Sequence, residues 1–267
     1  MKFLVGFFLL FNFILLGCES PSKVKDNQSI TEKSDIVQTN NARKKNKKKV
    51  RKIPVLTDDN VVKVLQNYAE YNNEDYVLLQ TSLGDIKIKL FDETPLHKAN
   101  FLMLAKQGFY DRTVFYRVEK GFIIQGGDSD AYERKTIKSR VGYYSIPQEF
   151  KPNVLYHRPG AVSMARDYEN NPDKRSSSFD FFIVQGTKYS KYDLNQIEKD
   201  NRMTFTPEQR EFYKTTGGAA HLDNMHTVFG QVVSGMDVVN KIADVEVDKK
   251  SWPRTDIYMT VKVLANE

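Results

Sequence analysis

Short segments in which apolar and polar residues alternate recur along much of this 267-residue chain. In the clearest one, Ile86, Ile88 and Leu90 alternate with two lysines after a turn at 82–85, which predicts a half-buried strand of a hairpin. Many short strands with few helices indicate a mostly β fold, organised as a closed or nearly closed antiparallel sheet. The other strand-like runs lie at 76–80, 113–118, 122–125, 160–165, 181–184, 228–232 and 257–263.

Helical spacing of apolar residues occurs in three places. The apolar positions at 61, 64, 65 and 68 share one face and predict an N-terminal helix within residues 58–75. A second helix is expected to begin at Pro95, which suits a first helical turn, and to end at Gly108. A third is expected at about 236–245. The second and third are far apart in the chain, and we expect them to cap the sheet.

A polar segment at about 187–218 interrupts the strand pattern and is interpreted as an insertion. Within it, the sequence Thr206-Pro207-Glu208-Gln209 has the form of a capping box with proline in the first turn, so a helix is expected up to about Lys214. The insertion lacks a strong apolar stripe, which favours a surface excursion. It serves either as a surface for specificity or partner binding, or as a solvated decoration.

The first 17 residues have the order of a secretory signal, with a lysine followed by an apolar run that is shorter than the ~20 residues of a membrane span. The run ends in Leu15-Leu16-Gly17-Cys18, which resembles the lipobox of bacterial lipoproteins. That resemblance implies cleavage before Cys18 and acylation of this cysteine, and therefore attachment to a membrane of the cell envelope, outside the cytoplasm. The alternatives are an ordinary signal peptide with a chance cysteine, or an uncleaved anchor.

Residues 18–57 are polar and lysine-rich, and they are interpreted as a disordered tether. Residues 43–52 hold eight basic side chains and no acid, so outside this run the formal charge falls from +6 to −2. The remaining, nearly neutral part gives no indication of nucleic-acid binding. The basic run is either a solvated spacer or a segment attracted to anionic lipid headgroups, at about 1 kcal/mol per cation.

Common catalytic signatures are missing from the sequence. Its four histidines, His97, His157, His221 and His226, lack metal-binding spacing, and its single cysteine excludes an internal disulfide. No serine lies in a nucleophile elbow. We therefore expect no metal site and no general acid–base chemistry, which leaves open a reaction that needs only shape and one hydrogen bond and no cofactor.

Four sequence blocks in the same order point to one family. Residues 115–128 read FYRVEKGFIIQGGD, which resembles the active-site segment of cyclophilins with its F-H-R, G-F and Q-G-G-D elements. GAVSMA at 160–165, FFI at 181–183 and LDNMHTVFG at 222–230 continue the resemblance, which spans about 76–264. The chain is thus similar to cyclophilin-type peptidyl-prolyl cis–trans isomerases. This implies a closed eight-stranded antiparallel β-barrel capped by two α-helices, over residues 76–267.

The resemblance also implies site residues. Arg117 matches the catalytic arginine of the family, whose guanidinium stays charged at working pH. Taken singly, the matched apolar residues are typical core residues, and only their joint order indicates a site. The matched substrate-binding positions are Phe122, Ile123, Phe182 and Leu222 lining the proline pocket, His226 flanking it, Gln125 orienting Arg117, and Ala165 touching the residue before proline.

Several positions depart from the family pattern. Arg166 replaces the usual asparagine and Asp180 the usual glutamine, so we expect Asp180 to pair with Arg166 or Arg117 and to tune the site. His221 stands where cyclosporin-sensitive relatives have tryptophan, which predicts weak cyclosporin binding. Glu119, in the turn before Gly121, is expected to matter little.

Two functions of different classes follow. One is an isomerase that accelerates X–Pro rotation while secreted or envelope proteins fold. The other is a module that binds proline-containing polypeptides without useful turnover. Arg117 favours the isomerase, because a binding module has no need of it. A purely structural lipoprotein has only the tether in its favour. The protein is expected to act as a monomer.

Overall fold

Eight strands form a closed antiparallel barrel in a computed structural model that describes residues 53–127 and 132–266. The predicted fold class is confirmed. The barrel strands, in spatial order, are β1 (Tyr76–Thr81), β10 (Tyr258–Leu264), β3 (Thr113–Glu119), β4 (Ile123–Gly126), β8 (Phe181–Val184), β6 (Ala161–Met164), β9 (Val228–Ser234) and β2 (Gly84–Leu90); β5 (Ser145–Ile146) and β7 (Ser176–Ser177) form a separate two-stranded sheet.

The β1–β2 hairpin shows how alternation sets the register. Leu79 pairs with Ile86 and Val77 with Ile88, and all four side chains are fully buried. Shifting the pairing by one residue would turn this apolar set toward solvent. Gly84 begins β2 with φ +132°, and a Cβ there would lie 2.7 Å from a methyl group of Val238, so the hairpin tip requires glycine.

Six α-helices surround the barrel within the described residues. Helix α2 (Pro95–Lys106) packs against β9 and β10, and helix α6 (Met236–Ala243) packs against β2, β3 and β4, so these two helices are the predicted caps. None of the helices described here is long and apolar enough to cross a membrane. The helices are α1 (Val61–Ala69), α2 (Pro95–Lys106), α3 (Tyr132–Val141), α4 (Lys191–Asn201), α5 (Pro207–Thr215) and α6 (Met236–Ala243).

The main core lies between the barrel and α2. Residues 96–105 of this helix are all buried, because α1 covers the face that the barrel leaves open. Phe101 on α2 contacts the rings of Tyr110, Phe181 and Phe229 at centroid distances of 4.9–5.3 Å. Each such buried side chain contributes about 1.5–3 kcal/mol. This core fills the barrel, so the barrel is a scaffold rather than a channel.

The ordered domain begins earlier than predicted. The tether was expected to run to residue 57, but Leu56 is only 1% exposed, and its N–H donates to the carbonyl of Val141 at 2.8 Å. Ile53 also packs on the main core. This part of the tether prediction is wrong, because a few apolar residues at its end find a partner on α3. The signal segment, Cys18 and the tether up to residue 52 lie outside the described residues.

The insertion also differs from its prediction. It contains two helices, α4 and α5, each begun by a capping box in which Ser190 or Thr206 is the N-cap. It has a small hydrophobic core of its own, in which Tyr213 is fully buried. The insertion is therefore a packed unit and not only a surface excursion.

Candidate active site

Arg117 and Gln125 lie opposite each other on neighbouring strands. They are register partners on β3 and β4, next to an irregularity of register at Tyr116. A bulge of this kind changes the direction in which a side chain points, compared with a regular strand. The guanidinium Nη1 donates to Gln125 Oε1 at 3.3 Å, and Cζ lies 5.8 Å from the ring centroid of Phe122. Gln125 thus holds Arg117, as expected, at the edge of an aromatic residue.

The matched apolar residues form a hydrophobic cluster that is separate from the main core. We call it the site cluster; its buried members include Ile123, Phe182 and Leu222, at 2%, 2% and 5% exposure. Phe122 and Ala165 are half-buried at its edge. Phe182 faces Gln125 across the β4–β8 pair, which brings this apolar surface beside Arg117. The structure therefore brings the sequence-predicted pocket residues together, and their binding of proline stays a prediction.

His226 closes the site cluster with an uncharged ring. Its ring packs edge-on against Phe182 at 5.4 Å, and it is 7% exposed. Nδ1 donates to the carbonyl of Met164 at 3.0 Å, so Nε2 accepts from the hydroxyl of Tyr168 at 2.8 Å. Burial lowers the pKa of His226 from 6.5 to about 3. The residue is neutral at physiological pH and suits an apolar substrate ring.

His221 lies at the edge of the site cluster, beside Phe122. Its ring lies 5.0 Å from that of Phe122, and its Nδ1 is 2.9 Å from the hydroxyl of Tyr189. Burial lowers the pKa of this imidazole as well. A smaller, polar ring therefore occupies the place where the resemblance expects tryptophan, which agrees with the predicted weak cyclosporin binding but does not test it.

The insertion supports the loop that carries Leu222 and His226. The amide nitrogen of Asn201, at the end of α4, donates to the carbonyls of His221 and Asp223 at 2.9 and 2.8 Å. Tyr213 on α5 donates its hydroxyl to Asp223 Oδ2 at 2.6 Å. Sequence reasoning missed these residues, since their only signal was a tyrosine within a polar stretch.

A Ser–His–Asp arrangement lies beneath the site. Ser163 Oγ is 2.9 Å from His157 Nε2, and His157 Nδ1 is 2.6 Å from Asp223 Oδ1. These contacts match those of a hydrolase triad. Ser163 is fully buried and His157 is 1% exposed, so a substrate cannot reach the hydroxyl. The arrangement therefore has a structural role: it connects β6 with the loop at 220–226.

The positions that depart from the family pattern have partners other than those predicted. Asp180 accepts hydrogen bonds from Tyr116 and Ser177, each at 2.9 Å, and among the described contacts neither Arg166 nor Arg117 forms the expected ion pair with it. Arg166 donates to the carbonyl of Met225 at 2.8 Å, and its guanidinium stacks 4.1 Å from the ring of Tyr168.

The structure contradicts the placement of Glu119 in the turn, the reason for which the Glu119-Lys120 pair was expected to matter little. One of its carboxylate oxygens accepts from Nε and Nη2 of Arg117 at 3.0 and 2.7 Å. The two residues lie two positions apart on β3, so their side chains share one face of the strand. Sequence reasoning placed Glu119 in the turn, whereas β3 extends through it.

Comparisons with known proteins identify the family. The family model for cyclophilin type peptidyl-prolyl cis-trans isomerases (Pro_isomerase) matches residues 76–263. Peptidyl-prolyl cis-trans isomerase-like 3 of Dictyostelium discoideum is 31% identical over 192 residues, which cover 71% of this chain and 96% of that protein. A Streptococcus pyogenes protein whose name joins phosphatase with peptidyl-prolyl cis-trans isomerase is 36% identical over 193 residues, 70% of this chain but only 38% of that longer protein.

Solved structures share the fold. The crystal structure of a Cryptosporidium parvum cyclophilin type peptidyl-prolyl cis-trans isomerase matches with a TM-score of 0.52 and 24% identity, over 73% of this chain and 99% of that one. A second structure of the same protein, determined in the presence of the dipeptide Ala-Pro, matches with a TM-score of 0.50 and 25% identity, over 72% and 99%. The fold, the ordered sequence blocks and the matched residues agree, and the chain belongs to the family of cyclophilin-type peptidyl-prolyl cis–trans isomerases.

Proposed function

We propose that this protein catalyses cis–trans isomerisation of X–Pro peptide bonds. The observation that carries the proposal is the position of Arg117, a permanently charged donor held at the edge of the site cluster. The cluster presents Phe122 and Ala165, both half-buried, around a buried floor of Phe182 and Leu222. A prolyl ring against this surface would bring its nitrogen toward the guanidinium.

Elementary chemistry explains how such a site accelerates rotation. The barrier of about 18–20 kcal/mol arises from the partial double bond of the peptide group, and uncatalysed X–Pro rotation takes tens to hundreds of seconds. In the twisted transition state the prolyl nitrogen recovers its lone pair, which accepts a hydrogen bond that the planar ground state does not accept. A donor fixed at that place stabilises the transition state selectively, and no covalent intermediate is needed.

The hydrogen bonds of Arg117 leave donors for this role. Of its five N–H groups, two contact Glu119 and one contacts Gln125 in the contacts described. The remaining two are available to a bound peptide. The relative crystallised in the presence of Ala-Pro supports a proline-containing polypeptide as the ligand class.

A catalytically weak proline-binding module is the second candidate. The Glu119 carboxylate favours it, because a negative charge beside the guanidinium offsets part of the positive potential that the transition state would feel. Both side chains are more than a third exposed, at 38% and 37%, so solvent screens this effect. Catalysis is therefore the better-supported function.

Replacing Arg117 decides between the two. In a proline-limited refolding assay with the purified protein, Arg117→Ala is expected to lower kcat/KM about 100-fold, the usual order for removing one transition-state donor. Arg140→Ala is the matched control, since this arginine is exposed at the end of α3, a helix that carries no site residue. Binding of proline-containing peptides by the wild type without acceleration of refolding would favour the binding module, and equal acceleration by wild type and Arg117→Ala would refute the role of Arg117.

The lipid anchor is a second part of the proposal, and the lipobox-like sequence ending in Cys18 supports it. Anchoring would place the isomerase at a membrane outside the cytoplasm, next to secreted and envelope proteins that are folding. When the wild-type protein is produced in a bacterial host, it is expected to incorporate labelled palmitate and to sediment with the membranes. Cys18→Ser is expected to lose the label, and unchanged labelling would refute lipidation at this residue.

A further inference from the structure

A continuous chain of hydrogen bonds connects Asp180 with Arg117. Asp180 Oδ1 accepts from the Tyr116 hydroxyl at 2.9 Å, that hydroxyl accepts from Gln125 Nε2 at 2.7 Å, and Gln125 Oε1 accepts from Arg117 Nη1 at 3.3 Å. The other carboxylate oxygen of Asp180 accepts from Ser177 at 2.9 Å. All members of the chain except Ser177 lie at or next to β3, β4 and β8, which are neighbours in the barrel.

The donors and acceptors fix the direction of this chain. As a carboxylate, Asp180 only accepts, so the single hydroxyl proton of Tyr116 points to it. The hydroxyl oxygen accepts from the NH₂ group of Gln125, which therefore faces it. The carbonyl oxygen of the same amide therefore faces Arg117, which only donates. Each member thus dictates the orientation of the next.

The reverse orientation becomes available when the acceptor at 180 can also donate. An amide at this position could donate to the Tyr116 oxygen, and the hydroxyl would then donate to Gln125 Oε1. The NH₂ group of Gln125 would turn toward the guanidinium, where two donors would oppose each other. Arg117 would lose the acceptor that holds its Nη1.

We infer that Asp180 is a positioning residue for the reaction: through Tyr116, it sets the orientation of the Gln125 side-chain amide, and so the position of the Arg117 guanidinium. This inference rests on the proposed isomerase function. In this inference Asp180 acts on Arg117 through the side chains of Tyr116 and Gln125, and not through a direct ion pair. Trp252 packs on the Tyr116 ring at 5.9 Å and helps to keep it in place.

The test is a double-mutant cycle on Asp180→Asn and Tyr116→Phe. Each substitution conserves shape and removes one directional link. Each is expected to lower kcat about 3- to 10-fold, the range of a single hydrogen bond, with KM changed less than twofold. The double variant is expected to be no worse than the poorer single variant, because both break one chain. Tyr143→Phe, at a tyrosine that is 66% exposed, is the control.

A spectroscopic measurement separates positioning from a merely structural role. The ¹H–¹⁵N signals of the Gln125 side-chain amide are identified by their loss in Gln125→Glu. They are expected to shift in Asp180→Asn and Tyr116→Phe and to stay in place in Tyr143→Phe. If Asp180→Asn unfolds the protein, Tyr116→Phe breaks the same chain at its centre and carries the test.

The outcomes distinguish this inference from the proposed function. An active wild type with unchanged kcat and amide signals in both single variants would overturn the relay alone. Strictly additive losses in the cycle would overturn it as well. An inactive wild type would refute the isomerase proposal, and the amide signals would still report whether Asp180 sets the orientation of Gln125.

Discussion

Acidification should destabilise this protein through His226. In the folded state the imidazole is buried and neutral, with Nδ1 donating to Met164 and Nε2 accepting from Tyr168. Protonation would bury a positive charge beside Phe182 and near the guanidinium of Arg166. These costs explain why the pKa falls from 6.5 to about 3, with burial as the main cause.

The sign and size of the effect follow from linkage. Below pH 6.5 the unfolded chain binds a proton at His226 that the folded protein does not bind until about pH 3. Stability from this group is therefore complete above pH 6.5 and decreases as the pH falls, by about 1.4 kcal/mol per unit. At pH 5 the free energy of unfolding should be lower by about 2 kcal/mol through this residue.

Urea unfolding of wild type and His226→Gln at pH 7.5 and pH 5 measures this contribution. Glutamine conserves a donor and an acceptor but does not titrate, and the other ionisable groups cancel in the comparison. Wild type is expected to lose about 2 kcal/mol more than the variant between the two pH values. Equal losses would show that the imidazole is not held neutral, and the account of its burial would be wrong.

Three further substitutions test the site. Tyr213→Phe removes the buried hydroxyl that donates to Asp223 Oδ2 and should lower the free energy of unfolding by about 1–3 kcal/mol in urea, unlike the exposed control Tyr192→Phe. Glu119→Gln keeps an acceptor but removes the charge beside Arg117, so kcat/KM for isomerisation of an X–Pro peptide substrate should rise about twofold to fivefold. A decrease would show that the charge is needed to hold the guanidinium. Cyclosporin should inhibit weakly, and His221→Trp should tighten inhibition about tenfold or more; nanomolar inhibition of the wild type would contradict this reading.

Local sequence determined the barrel strands and the capping helices. Alternation such as that of Ile86 and Ile88 specifies a strand with one buried face, since any other register would expose the apolar set. The ordered blocks also indicated which residues share a site, because Arg117, Gln125 and Phe182 recur at family positions. A charged helix such as α3 escaped prediction, since its ten residues carry no apolar stripe.

Only the tertiary structure decided the partners of the polar groups. Tyr213 and Asp223 are ten positions apart, and Asp180 is 64 positions from Tyr116, so local pattern carries no information about their contacts. A buried polar group must find some partner, and which one it finds depends on how the chain folds back. For the same reason sequence placed Arg117 and Gln125 at the site, whereas only the fold revealed that Glu119 also contacts the guanidinium.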